Sequence, residues 1–200
     1  MRQNLARYAA ICQQAGLVPI VEPEVLMDGS HDLQRCLEVT GRVLHAVFNQ
    51  LHIQRILLEG MILKPNMVLP GKDCPHQDGI EQVADATVRC LLRSVPAAVA
   101  GIAFLSGGQS GELARARLSA MNVRFASKMP WPLTFSFARA IQHPALDIWS
   151  GHDASVKAAQ KSLLHRAKSS RAAAAANTTR RWTRPEYEME TGNATEIRRR

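Results

Sequence analysis

A parallel α/β fold is what this chain predicts, and three features of the sequence carry that expectation. Short apolar, β-branched runs alternate with longer segments of helical period, in the order β, α, β, α, β, α, β. The runs show little alternation between apolar and polar residues, as expected of a parallel sheet covered by helices. Their C-terminal ends fall near positions 22, 64, 106 and 138, giving a βα repeat of roughly 30 to 45 residues.

Leu5, Tyr8, Ala9 and Cys12 form the apolar face of a first helix, which Gly16 stops. The run LVPIV (17–21) follows as a strand and ends at Glu22, Pro23 and Glu24. Leu33, Leu37, Leu44, Val47 and Leu51 then predict a long helix over 31–51. ILLEGMIL (56–63) reads as a second strand, 79–94 as a helix, 97–105 as a third strand, 109–122 as a helix and PLTFSFA (132–138) as a fourth strand. A last helix is expected over 154–168. Residues 1–168 therefore form the folded domain, and 169–200, which lack any apolar period, are expected to be a disordered basic tail.

Composition narrows the class. With 46% hydrophobic and 21% charged residues the chain is ordinary for a globular domain. Its apolar runs fall short of the roughly 20 residues of a spanning helix, and the first residues lack the apolar core of a secretory signal, so a cytoplasmic address and no membrane are expected. Cys12, Cys36, Cys74 and Cys90 are widely spaced, which predicts reduced thiols, and the seven histidines form no ligand-like pair, so no metal site is expected. The net charge of +8 is uneven: residues 165–200 hold nine Lys or Arg against four Asp or Glu. With no nucleic-acid motif, that tail predicts at most weak, salt-sensitive attraction to phosphates, and nucleic acid is not an expected partner.

If the strands are parallel, their C-terminal ends face one way, and the residues there are unusual for turns. Glu22 and Glu24 follow the first strand, Lys64 the second, SGGQS (106–110) the third and Arg139 the fourth. A desolvated lysine favours its neutral form, a nucleophile toward a carbonyl carbon, and a neighbouring carboxylate such as Glu22 could move protons for it. The other reading of Lys64 is a strand-end cation paired with Glu22. Two glycines before a helix let backbone N–H groups approach an anion, with Arg139 as a clamp, although a plain glycine turn would look similar.

LARYAAICQQAGLVPIVEPEVL, LLEGMILKPNMVLPG, FLSGGQS and PWPLTFSFARA, in this order, resemble the C-terminal half of class I fructose-bisphosphate aldolase over about residues 4–168. The resemblance implies half of a (β/α)8 TIM barrel and a lyase that splits fructose 1,6-bisphosphate into dihydroxyacetone phosphate and glyceraldehyde 3-phosphate. It implies Lys64 as Schiff-base nucleophile, Glu22 as proton shuttle, Glu24 as supporting acid, and Ser106, Gly107, Gly108 and Arg139 as phosphate contacts. No cofactor is implied; the partners are sugar phosphates and, in the intact family, copies of itself in a homotetramer. The sequence departs from the family in beginning just before the fifth strand, in Ala138 where glycine is usual, in Met61 where a smaller residue is usual, and in ending TEIRRR rather than in tyrosine. These departures predict a truncated chain with weak activity or none. The alternative is a non-catalytic half-barrel with a basic tail, acting as a binding protein.

Overall fold

The computed structural model describes residues 2–175. Among them are four strands, β1 (Ile20–Val21), β2 (Ile62–Leu63), β3 (Gly101–Phe104) and β4 (Leu133–Phe135). Six α-helices accompany them: α1 (Arg2–Gln14), α2 (Leu33–Ile53), α3 (Ile80–Ser94), α4 (Gly111–Arg124), α5 (Arg139–Trp149) and α6 (Val156–Ala175). All strand pairs are parallel, with Val21 opposite Leu63, Leu63 opposite Ile102, and Phe104 opposite Phe135. Order in space equals order in sequence. A doubly wound sheet reverses direction partway across; this one does not, which makes it an arc of a barrel with β1 and β4 as its edges.

The core explains the missing alternation. All four residues of β3 are buried, and Phe104, Ile102, Leu63 and Val21 are almost wholly removed from water. From the helices, Leu44, Val47 and Leu51 of α2, Val83 and Leu91 of α3, and Leu118 and Met121 of α4 pack into the same cluster. Asp32 caps α2, its Oδ1 accepting from the Arg35 N–H at 2.7 Å, and Ser110 caps α4 by accepting from the Leu113 N–H at 3.2 Å. At the end of α1, Gly16 takes φ +72° and lets the Leu17 N–H return to the Cys12 carbonyl at 2.8 Å.

Four expectations need correction. The first strand is only Ile20–Val21, because Pro19 has no N–H to give the ladder; Leu17 and Val18 before it are exposed. Leu58–Gly60 is a 3₁₀ turn, clamped by Gln13 of α1, whose Nε2 donates to the Leu57 carbonyl at 2.8 Å and whose Oε1 accepts from the Leu57 N–H at 3.0 Å. Arg139 does not end a strand but opens α5, an unpredicted helix. Pro144 masks that helix in the sequence, since it deletes the hydrogen bond to the Ala140 carbonyl, yet the apolar face of α5 holds it in place. Finally, α6 runs to Ala175, so 169–175 are helical; their alanines are strong helix formers. The rest of the predicted tail, 176–200, lies outside the described residues.

Candidate active site

Lys64 stands one residue past β2 and extends the ladder, its N–H donating to the Val21 carbonyl at 2.8 Å. That register sets it beside Glu22, one residue past β1. Lys64 Nζ lies 2.9 Å from Glu22 Oε1, with the lysine side chain 19% exposed and the carboxylate 43%. Amine and acid are thus within proton-transfer distance at the C-terminal edge of the sheet. Glu24, by contrast, is exposed and has no ion-pair partner among the described residues.

What holds this pair is the stretch PNMVL (65–69), buried throughout. Two of its backbone N–H groups are satisfied by side chains from two helices. The Val68 N–H donates to Thr87 Oγ1 of α3 at 2.9 Å, and the Leu69 N–H to Cys36 Sγ of α2 at 3.3 Å. Burial pushes the Cys36 thiol up from its ordinary range, so the sulfur stays protonated beside that N–H. Asn66 is the hub. Its Nδ2 donates to Thr40 Oγ1 at 3.2 Å and to the Met67 carbonyl at 3.0 Å, while its Oδ1 accepts from the Val25 N–H at 3.0 Å. One side chain therefore ties the loop after β1, which carries Glu22, to the loop after β2, which carries Lys64. Asn66→Ala is expected to cost about 2–3 kcal/mol in urea unfolding, because it leaves one donor, the Val25 N–H, and two acceptors, Thr40 Oγ1 and the Met67 carbonyl, without this partner. Glu24→Ala is the control, expected within about 0.5 kcal/mol of the parent. Equal midpoints for parent and Asn66→Ala would show that the web is not structural.

The glycine turn follows β3. Ser106 is buried, and Gly107 and Gly108 take φ +58° and +73°, a region that side chains rarely enter. Met27 packs where a Gly107 Cβ would stand, and Lys72 lies 3.1 Å from the corresponding point at Gly108. Gln109 then returns, its Nε2 donating to the Ser106 carbonyl at 2.9 Å and its Oε1 accepting from Arg117 Nη1 at 2.8 Å. Arg117 is buried in α4 and also donates to the Asp78 carbonyl; burial lowers the pKa of its guanidinium, and Asp78 partly opposes this. The turn is thus fixed from behind by a cation.

Arg139 is exposed at the start of α5 and lines a cavity of about 460 Å³ with Gly108, Ser110, His143 and Arg166. Lys64, Glu22, Ser106 and Gly107 do not line it. The structure therefore brings the predicted residues together in two groups, the amine–acid pair and the Gly108–Arg139 cavity. Asn66, Thr40, Thr87 and Arg166 were not predicted, and Gln109 only as part of the SGGQS turn. Thr40 could have been found, since it continues the spacing of Leu33, Leu37, Leu44, Val47 and Leu51 on the inner face of α2.

Fold and site define a barrel-type α/β protein that presents a lysine–carboxylate pair and a glycine turn at the C-terminal ends of its strands. The chain belongs to the class-I fructose-bisphosphate aldolase family, whose model matches residues 1–193. Fructose-bisphosphate aldolase B of Gallus gallus is 58% identical over 164 residues, 82% of this chain and 45% of that protein. The cytoplasmic isozyme 2 of Pisum sativum is 54% identical over 165 residues, again 82% of this chain and 45% of the relative. A solved structure of the Plasmodium falciparum aldolase, in complex with TRAP and a small-molecule inhibitor, superposes with a TM-score of 0.83 at 46% identity, covering 88% of this chain and 50% of that one. The chain spans about half the length of the curated relatives it matches. No helix among the described residues is long and apolar enough to cross a membrane.

Proposed function

We propose that this chain carries the Schiff-base half of a class I fructose-bisphosphate aldolase site, and the observation that carries the reading is the 2.9 Å contact between Lys64 Nζ and Glu22 Oε1. Glu22 takes the lysine proton as the sugar enters, and the free amine attacks the ketone carbon. The carbinolamine then loses water, with Glu22 returning a proton to the departing hydroxyl. The resulting iminium is the electron sink: the hydroxyl beyond the scissile bond gives its proton to a base that the other strands of a closed barrel would supply, the carbon–carbon bond breaks toward the iminium, and glyceraldehyde 3-phosphate leaves. The enamine of dihydroxyacetone phosphate is then protonated, and the iminium so formed is hydrolysed from Lys64. The protein's own amine supplies the sink, so no cofactor enters. Ser106, Gly107, Gly108 and Arg139 hold a phosphate, and Glu24 supports the proton transfers from the adjacent loop. A cytosolic setting and a homotetramer go with this reading, as does residence of the reaction in sugar-phosphate metabolism.

Incubation with dihydroxyacetone phosphate and borohydride tests it. The imine is reduced to a stable secondary amine, and peptide mapping is expected to place the adduct on Lys64, with Lys64→Met as the blank. Labelling chiefly at Lys72, Lys128 or lysines of α6 would overturn the assignment.

A further inference from the structure

The outer face of the α3–α4 pair carries a groove of about 530 Å³ that the proposed chemistry does not use. Val88 and Leu92 of α3 and Phe125 after α4 form its apolar floor, and Leu92 is 45% exposed. Four cations rim it. Arg124 is already paired with Asp85 at 3.0 Å and Glu81 at 3.9 Å, and together with Lys128 it flanks the Phe125 ring. Arg89, Arg93 and Lys128 have no carboxylate partner among the described residues. An apolar floor beneath uncompensated cations fits a segment in which acids alternate with large apolar side chains.

This chain contains such a segment. In PEYEME (185–190), Glu186, Glu188 and Glu190 alternate with Tyr187 and Met189, so an extended backbone puts three carboxylates on one side and two apolar groups on the other. The described chain ends against α4, the helix that also carries the groove's Arg124. Asn122 of α4 donates to the Ala173 and Ala174 carbonyls at 3.2 and 3.4 Å, fixing the end of α6 against α4 only three positions before Phe125. Residues 176–185 can span up to about 33 Å when extended, while the groove runs only about 12 Å along α3 from Asp85 to Arg93. Arg180, Arg181 and Arg184 fall in this linker, which need not enter the groove. Asp85 and Glu81 repel acids at the Arg124 end, which directs the segment toward Arg89, Arg93 and Lys128.

We propose that residues 185–190 dock in the α3–α4 groove of their own chain, Tyr187 and Met189 on Val88, Leu92 and Phe125, and the three glutamates against Arg89, Arg93 and Lys128. The claim stands apart from the aldolase reading, since it uses none of the proposed catalytic groups. The test is a carbodiimide cross-link on the full chain, which condenses a carboxylate with a lysine amine by loss of water. Equal amounts of ¹⁵N-labelled and unlabelled chain are mixed, treated in about 50 mM salt and again in about 0.5 M, and digested for mass spectrometry. Lys128 is expected to be linked to Glu186, Glu188 or Glu190 within one isotopic label. The link should be lost at high salt and in the Glu186→Gln/Glu188→Gln/Glu190→Gln chain. Mixed-label links would assign the groove to a second copy, and links from these glutamates to Lys157, Lys161 or Lys168 in place of Lys128 would put the segment elsewhere; either overturns the proposal.

Discussion

Assayed as a pure soluble chain, these 200 residues are expected to cleave fructose 1,6-bisphosphate at least about a thousandfold more slowly than a full-length relative beside them. Lys64 and Glu22 are in place, but holding every reacting group in one geometry is worth roughly 7–11 kcal/mol of barrier. Here the sheet is an arc of four strands, with β1 and β4 both unpaired on their outer sides among the described residues. Leu17, Val18 and Ile20 are 61%, 65% and 47% exposed along the β1 edge, apolar surface that favours association over precise positioning. Groups that other strands of a closed barrel would contribute are not replaced by pairing two copies, since each copy offers the same four strand ends. A steady-state assay with Lys64→Met as blank decides the matter: turnover near that of the relative would show that these four βα units suffice.

Gly71→Ala is expected to destabilise the fold by about 3 kcal/mol or more, the largest loss of any glycine-to-alanine change among the described residues. Segments 27–31 and 71–73 lie against each other through three backbone hydrogen bonds. The Gly71 N–H donates to His31 O at 2.7 Å, Lys72 to Met27 O at 2.8 Å, and Asp73 to Gly29 O at 3.0 Å. A Cβ at Gly71 would run into the Gly29 carbonyl and stand 3.0 Å from His31 Nδ1. Backbone cannot swing aside as a flexible side chain can, so the two segments must part and all three bonds suffer. These segments also buttress Gly107 and Gly108 through Met27 and Lys72, so the glycine turn loosens with them. Gly16→Ala is the comparison, since it has nothing within 4 Å and only its φ of +72° to strain, for about 1 kcal/mol. Urea midpoints should rank the parent first, Gly16→Ala second and Gly71→Ala last; equal losses for the two variants would refute the clash.

The order of the four strands and of five of the six helices, the parallel sheet and the placing of Lys64, Glu22 and the glycine turn at the strand ends are written in the sequence. Each rests on local physics: apolar period, β-branched runs, caps and breakers act within a few residues, so they are read without knowing what lies across the fold. Lys64 stands out because a cation at the end of an apolar run, fixed by Pro65, breaks the local pattern. Local rules fail where a long-range contact overrules them. Pro144 argues against a helix, yet packing keeps α5, and with it Arg139 moves from a strand end to a helix start. The strand run before β2 becomes a turn because Gln13, far earlier in the chain, supplies its hydrogen bonds. Asn66 looks like a turn residue after a proline, but the tertiary fold buries it and gives it Val25 and Thr40 as partners, 41 and 26 positions away. The placing of Lys64 and Glu22 one residue past neighbouring strands is set by the sequence. Which buried side chains hold them in register is set only when distant segments meet, because a buried polar group must find its partner wherever the folded chain happens to bring one.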